Sequence, residues 1–166
     1  YALPYGKSHQ TVTLPDNLDV TVLAPVDTPP VDDPATCTAA ALDAPLGGMR
    51  WADFSGAKSV AIAIADKTRP LSPALLRPLL EKLETLGFAA DAVTLVIATG
   101  AHPPMTPDEF GAVVPRDVLD RYRVISHDCD ANDMVLCGNT PAGTPVWVNR
   151  TFAEADFRLA IGNLEP

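Results

Sequence analysis

Two apolar stretches in the middle of the chain have the length and composition of strands buried on both faces. Residues 59–65 read Ser-Val-Ala-Ile-Ala-Ile-Ala, and residues 92–98 read Ala-Val-Thr-Leu-Val-Ile-Ala. Continuous runs of small and β-branched residues are typical of central strands in a parallel sheet, which helices cover on both sides. The pattern therefore predicts two neighbouring parallel strands.

The segment between these strands has the periodicity of an amphipathic helix. Ser72 is a suitable N-cap, Pro73 suits the first helical position, and Gly87 is a typical helix end. Apolar residues recur at spacings of three and four, at Leu75, Leu76, Leu79, Leu80, Leu83 and Leu86. Pro78 falls inside this pattern and is expected to kink or restart the helix.

Shorter elements continue the alternation of strands and helices after residue 98. Residues 106–109 (Thr-Pro-Asp-Glu) form a capping box that opens another helix. Further strands are predicted at 123–126, 134–137, 145–148 and 157–161, with a short helix at 152–155. This order implies right-handed crossovers and an α/β fold with a Rossmann-like, mostly parallel sheet flanked by helices.

The first part of the chain has a different pattern. Alternating residues predict short antiparallel strands at 3–5, 11–14 and 20–23, with turns at 6–7 and 16–17. A connector rich in Pro and Asp follows at 25–34, and then a short helix at 35–42. We expect an N-terminal β segment at 1–24, a connector with a short helix at 25–57 and a Rossmann-like unit at 58–166, together forming one domain.

Composition and charge narrow the possible functions. A chain of 166 residues, 47% of them hydrophobic, is long enough to form one core. Its net charge of −9 argues against nonspecific binding to nucleic acid or to an anionic membrane, although a small anion responds to local charge. No apolar run is long enough to cross a bilayer. The three scattered cysteines indicate free thiols, so we expect a cytoplasmic protein.

Candidate chemistry lies at the carboxyl ends of the predicted strands, where ligands bind in open α/β sheets. After the strand at 59–65, Arg69 could hold a carboxylate or phosphate with its planar guanidinium, and Asp66 could orient that group or accept from a sugar hydroxyl. After the strand at 92–98, His102 follows a Thr-Gly turn and could transfer protons. The alternative is a surface Asp–Arg pair and a solvated histidine. A third loop, 162–166, follows the last strand.

Other motifs give weaker signals. The triplet 127–129 (His-Asp-Cys) has no second ligand pair at metal-site spacing, so we predict no metal site in this chain. The chain has neither a G-x-G-x-x-G fingerprint nor a Walker loop, which argues against an ordinary nicotinamide-dependent dehydrogenase.

Several sequence blocks, in this order, resemble the N-terminal domain of the nickel-dependent lactate racemase family. They are 3–7 (Leu-Pro-Tyr-Gly-Lys), 66–70 (Asp-Lys-Thr-Arg-Pro), 98–106 (Ala-Thr-Gly-Ala-His-Pro-Pro-Met-Thr), 143–150 (Gly-Thr-Pro-Val-Trp-Val-Asn-Arg), 154–156 (Glu-Ala-Asp) and 161–166 (Ile-Gly-Asn-Leu-Glu-Pro). The resemblance extends over essentially the whole chain.

This resemblance implies an isomerase, a racemase or epimerase that acts on a small 2-hydroxy acid through a nickel-pincer nucleotide. His102 corresponds to the base that takes the substrate hydroxyl proton while hydride moves to the pyridinium ring of the cofactor. Under the same resemblance, five residues are expected to bind substrate or cofactor: Asp66, Arg69, Thr68, Thr99 and Gly100. No role is carried over to Lys67.

The resemblance also implies that part of the active site lies outside this chain. In the family the segment after the Glu-Pro position brings the second histidine, and a glycine-rich stretch then carries the lysine that tethers the cofactor and a nickel-binding histidine. We therefore expect the chain to be the N-terminal half of a larger two-domain enzyme, inactive alone and without bound cofactor. The alternative is a non-catalytic module that binds an anion or nucleotide through Asp66 and Arg69.

Overall fold

Eight strands and four α-helices are present in the part of the chain that the computed structural model describes, residues 1–23, 26 and 28–163. The strands are β1 (Ala2–Tyr5), β2 (Ser8–Thr11), β3 (Val60–Ala65), β4 (Val93–Ala98), β5 (Arg123–Ser126), β6 (Val135–Asn139), β7 (Pro145–Val148) and β8 (Phe157–Ile161). The helices are α1 (Pro34–Asp43), α2 (Pro73–Thr85), α3 (Arg116–Leu119) and α4 (Arg150–Glu154), with 3₁₀ turns at Trp51–Phe54, Ala90–Ala92 and Pro107–Ala112.

Four of these strands form a parallel sheet in the order β5-β4-β3-β8. The chain builds outward from β3 through β4 to β5 and then returns to the opposite side of β3 as β8. The strand order therefore reverses between β3 and β8, and such a point opens a crevice at the carboxyl ends of the strands. The predicted α/β class with a mostly parallel sheet is confirmed.

The sheet presents large apolar side chains on one face and small ones on the other. Val60, Ile62 and Ile64 alternate along β3 and share one buried cluster with the leucines of α2, namely Leu76, Leu79, Leu80 and Leu83. On the opposite face Ala61 packs with Val96 and with Ala155, which follows α4. Most of the apolar area removed from water, and hence most of the hydrophobic stabilisation, belongs to the α2 face.

Helix α2 runs from Pro73 to Thr85 without a break, so the restart expected at Pro78 does not occur. Ser72 is its N-cap and accepts a hydrogen bond from the amide of Ala74 at 3.3 Å. A proline inside a helix removes one backbone hydrogen bond. Leucines buried on both sides of Pro78 offset that loss, because each of them is removed from water against the sheet.

The capping box at 106–109 is present, but it opens a 3₁₀ turn and not an α-helix. The Glu109 carboxylate accepts from the backbone amide of Thr106 at 2.9 Å, and the residues after this turn direct Val113 and Val114 into the core. The 3₁₀ segment ends at Ala112, after about two turns, where these two valines become buried. The capping signal therefore predicted where a helical segment begins but not its type.

Clustering of contacts divides the chain into two compact units, Tyr1–Pro30 and Val31–Pro166. Within the first unit, β1 and β2 form an antiparallel hairpin in which Tyr5 pairs with Ser8 around a Gly6-Lys7 turn. Gly6 has a φ of 57°, which suits the first central position of a two-residue hairpin turn. This turn starts the second strand at Ser8, earlier than predicted, and residues 20–23 form no strand.

No helix in the described part of the chain has the length and apolar character needed to cross a bilayer. The domain boundaries expected at 24 and 57 remain predictions.

We expect Leu83→Ala to lower the free energy of unfolding by about 2–5 kcal/mol, because its side chain is 0% exposed between α2 and the sheet and its loss leaves a cavity. Urea denaturation followed by circular dichroism measures the change. Leu46→Ala is the matched control, since Leu46 is 93% exposed and its truncation should change stability by less than about 0.5 kcal/mol. Equal effects of the two substitutions would contradict the assigned core.

Candidate active site

A pocket of about 760 Å³ lies at the carboxyl ends of β3, β4 and β8, beside the reversal of strand order. Its size is in the range of pockets that hold drug-sized molecules and exceeds the need of a three-carbon acid. All six residues predicted to form a site line this pocket: Asp66, Thr68, Arg69, Thr99, Gly100 and His102. Their roles remain predictions, but the sheet brings them to one place.

A tight turn after β3 positions Asp66 and Arg69. The backbone carbonyl of Asp66 accepts a hydrogen bond from the amide of Arg69 at 3.2 Å. The Asp66 side-chain atom Oδ1 accepts from the Thr68 amide at 2.9 Å and from the Thr68 hydroxyl at 2.5 Å. Asp is favoured in such turns because its side chain can bond the backbone two residues ahead. The carboxylate is therefore built into the turn, and the residue is only 7% exposed.

A second tight turn after β4 positions His102. The carbonyl of Thr99 accepts from the amide of His102 at 3.0 Å, and Gly100 takes up a φ of 60° at the second position. A side chain at that φ is strained, so the turn favours glycine. The Thr99 hydroxyl donates to the carbonyl of His127 at 2.9 Å, which ties the turn to the end of β5.

The two turns meet in a hydrogen bond between His102 and Asp66. The His102 atom Nδ1 lies 2.8 Å from Asp66 Oδ2. Burial raises the pKa of Asp66, but hydrogen bonds from His102 and Thr68 outweigh this effect and lower the pKa from 3.8 to about 2. Because the carboxylate is ionised at neutral pH, Nδ1 carries the proton and Nε2 keeps the lone pair. Nε2 is therefore the ring nitrogen of His102 that can accept a hydrogen bond or a proton.

The floor of the pocket consists of small apolar side chains. Ala63 pairs with Ala160 across β3 and β8, and Ala65 pairs with Ala98 across β3 and β4, so each pair faces the same side of the sheet. All four alanines line the pocket. These methyl groups lie on one side of the sheet and take up little space there, and the pocket is also lined by Ile64, Ile161, Arg69 and His102.

Sequence reasoning missed one residue near the site. Ser126, at the end of β5, accepts a hydrogen bond through Oγ from the amide of Met105 at 2.9 Å and so fixes the far end of the His102 loop. Ser126 is a polar residue at the carboxyl end of a strand, which is the signal that could have identified it. Asn163, in the predicted third loop, lines the pocket after β8. The rest of the predicted third loop, residues 164–166, lies outside the described residues.

Among residues 1–23, 26 and 28–163, the one group of three potential metal-ligating side chains is Asp128, Cys129 and Asp130, whose ligand atoms lie within 4.8 Å of one another. None of the three lines the pocket, and His127 is not a member of the group. An acidic group with two exposed members is common on protein surfaces, and we assign it no function.

Comparisons with known proteins give a consistent result. The sequence profile described as the lactate racemase N-terminal domain matches residues 5–166. The lactate racemase of Thermoanaerobacterium thermosaccharolyticum is 31% identical over 99% of this chain and 39% of its own length. That of Lactiplantibacillus plantarum is 30% identical over 75% of this chain and 30% of its own length.

A solved structure also resembles this chain. The lactate racemase apoprotein from T. thermosaccharolyticum superposes with a TM-score of 0.70 at 29% identity, covering 96% of this chain and 37% of that one. The chain thus spans less than two fifths of the length of the relatives that it matches.

The Asp66→Asn substitution should reduce stability in a pH-dependent way. The pKa of Asp66 is about 2 when folded and 3.8 in the reference state, so the ionised carboxylate stabilises the fold above pH 3.8, and this contribution disappears as the pH falls towards 2. We expect the difference in unfolding free energy between the wild type and Asp66→Asn to be about 1–2 kcal/mol at neutral pH and to shrink below pH 3.8.

Urea titrations at a series of pH values measure this difference. Asn132→Ala, a change at an exposed position without a titratable group, is the control and should show no such trend. A difference that stays constant down to pH 2 would contradict the assigned hydrogen bonds.

Proposed function

The chain belongs to the lactate racemase N-terminal domain family, and on this premise we propose that it forms one wall of the active site of a racemase or epimerase. The substrate would be lactate or another small 2-hydroxy acid. The observation that carries the proposal is that Arg69 and the Asp66–His102 pair line the same pocket. A guanidinium and an oriented imidazole are the groups needed to hold a carboxylate and to take a proton from the neighbouring hydroxyl.

His102 acts as the general base through Nε2. Its other ring nitrogen donates to Asp66, which fixes the tautomer and the ring plane before substrate binds. When Nε2 takes the hydroxyl proton, the imidazolium forms beside an ionised carboxylate that stabilises it. Asp66 is therefore a positioning residue for the base as well as part of the pocket wall.

Arg69 holds the substrate carboxylate. A guanidinium can donate two parallel hydrogen bonds to the two carboxylate oxygens, and this geometry fixes orientation as well as distance. A 2-hydroxy acid held in this way would present its hydroxyl to His102, which lines the same pocket. This role is supported by the turn after β3, in which the amide of Arg69 donates to the carbonyl of Asp66. The side chain of Asp66 in turn contacts His102.

The pocket fits a cofactor larger than the substrate. The family resemblance implies a nickel-pincer nucleotide, which supplies a pyridinium ring that accepts and returns a hydride when it is bound. The alanine floor of Ala63, Ala65, Ala98 and Ala160 leaves space for a planar ring, and the volume of about 760 Å³ accommodates more than a three-carbon acid. Thr68, Thr99 and Gly100 would contact the cofactor at the rim.

The remaining groups would come from other parts of the protein. The relatives are more than twice as long as the region matched here. The resemblance assigns the second histidine, the tethering lysine and a nickel-binding histidine to the segment that follows the Glu-Pro position in the family. A cleft between two domains excludes water and holds reacting groups in contact, as hydride transfer requires. We propose that the chain alone is inactive.

In the whole protein we expect His102→Ala to reduce kcat for racemisation by about 10²–10⁴-fold, because the general base is lost. Arg69→Lys should chiefly raise KM, since a lysine cannot form the paired hydrogen bonds to a carboxylate. Polarimetry with each enantiomer of lactate measures both constants. Asp91→Asn is the control and should leave both unchanged, since this exposed residue precedes β4, at the opposite end of the strand from the pocket.

Full racemisation by His102→Ala together with lost ligand binding in Arg69→Ala would overturn the catalytic assignment. That result would favour the second candidate, a non-catalytic module that binds an anion or a nucleotide through the same pocket.

The chain expressed alone should contain no stoichiometric nickel. Of the described residues that line the pocket, the one imidazole belongs to His102, and its Nδ1 is already hydrogen-bonded to Asp66, so it offers a single nitrogen ligand. Mass spectrometry of metals in the purified chain tests this expectation, with the whole protein as the loaded reference. One nickel ion per chain would contradict it.

A further inference from the structure

Lys67 lies in sequence between two residues of the pocket but does not line the pocket itself. Its Nζ forms an ion pair with Oε1 of Glu109, and the two side chains are 51% and 37% exposed. The lysine therefore extends away from the site, towards the segment that follows the His102 loop. This contact joins the turn after β3 to the end of the loop after β4.

Glu109 is itself held in place by hydrogen bonds. Its Oε2 accepts from the amide of Thr106 at 2.9 Å and from the Thr106 hydroxyl at 3.3 Å. The hydrogen bond from Lys67, followed by that from the Thr106 backbone, lowers the pKa of Glu109. The carboxylate is thus ionised at neutral pH and links Lys67 to the position where the His102 loop ends.

The segment between His102 and Thr106 is suited to transmit a displacement. It contains Pro103 and Pro104, whose fixed φ angles stiffen the backbone. The His102 side chain is 59% exposed, so packing contributes little to its orientation. The ring direction then depends on the hydrogen bond to Asp66 and on where the loop holds the His102 backbone.

We propose that the Lys67–Glu109 ion pair is a positioning device that sets the separation of the two loops at which His102 meets Asp66. Its catalytic consequence rests on the function proposed above. An exposed ion pair contributes little to global stability. A small displacement of a reacting group can nevertheless cost up to about 100-fold in rate, so the pair can matter for turnover while barely affecting unfolding.

A double-mutant cycle in the whole protein tests this role. Glu109→Gln removes the charge but keeps a side chain that can complete the capping box, and Lys67→Gln removes the other charge. We expect each variant to lower kcat by about tenfold with KM changed less than twofold, and the double variant to be no worse than either one. Lys67→Arg should restore most of the activity.

Two results would overturn the proposal. A rise in KM for Lys67→Gln with unchanged kinetics for Glu109→Gln would mean that the lysine binds a ligand directly. Unchanged kcat in both variants would mean that the pair is only a surface contact.

A second readout separates this proposal from the function on which it rests. Nitrogen-15 NMR of histidine in the whole protein reports the protonated ring nitrogen of His102. We expect a protonated Nδ1 in the wild type and a mixture of the two tautomers in Lys67→Gln and Glu109→Gln. If the wild type does not racemise lactate, the proposed function fails while this signal still tests the positioning role. A tautomer unchanged in both variants would overturn the positioning role whatever the activity.

Discussion

The site depends on the register between β3 and β4. Ala65 pairs with Ala98, so the two strands end at the same level and their loops begin side by side. Neighbouring strands are separated by about 4.8 Å, a gap that one carboxylate and one imidazole can close. The Asp66–His102 hydrogen bond of 2.8 Å forms because both strands end at the same level and a tight turn follows each of them. A slip of one residue would turn the side chains to opposite faces and separate the pair.

Large and small residues alternate along β3, so that large side chains lie on one face of the sheet and small ones on the other. In β3 the positions facing α2 are Val60, Ile62 and Ile64, and the positions between them are alanines. The large side chains pack the sheet against α2. The alanines contribute little apolar area and leave open space in the pocket. One six-residue strand thereby contributes to the core on one face and lines the pocket on the other.

The central strands and the edge that carries the site could be predicted because their signals are local. Residues 59–65 and 92–98 are apolar throughout since both faces are buried, and polar residues follow them at the carboxyl ends. The contact of Asp66 with His102, and that of Lys67 with Glu109, were not predicted. Each joins residues about 40 positions apart and depends on strand register and turn geometry, which no local pattern encodes.

The errors in the predicted fold have a similar origin. The strand predicted at 11–14 occurs earlier, at Ser8–Thr11, because the Gly6-Lys7 turn and not the apolar alternation sets the pairing. The segment after Thr106 is a 3₁₀ turn because Val113 and Val114 must reach the core soon after it begins. In both cases a constraint from pairing or packing overrides the preference of the local sequence.

The charges in the pocket bear on how an acidic chain would bind the anionic substrate of the proposed reaction. The net charge of −9 is spread over the whole chain, whereas Arg69 lines the same pocket as Asp66, whose carboxylate accepts hydrogen bonds from Thr68 and His102. In the proposed reaction the positive charge of Arg69 compensates the negative charge of the substrate carboxylate as soon as the substrate binds. Asp66 balances a charge that arises only later, when His102 takes the proton. Each ionised side chain would therefore stabilise a different stage of the proposed reaction, which gives an acidic residue a role beside an anionic substrate.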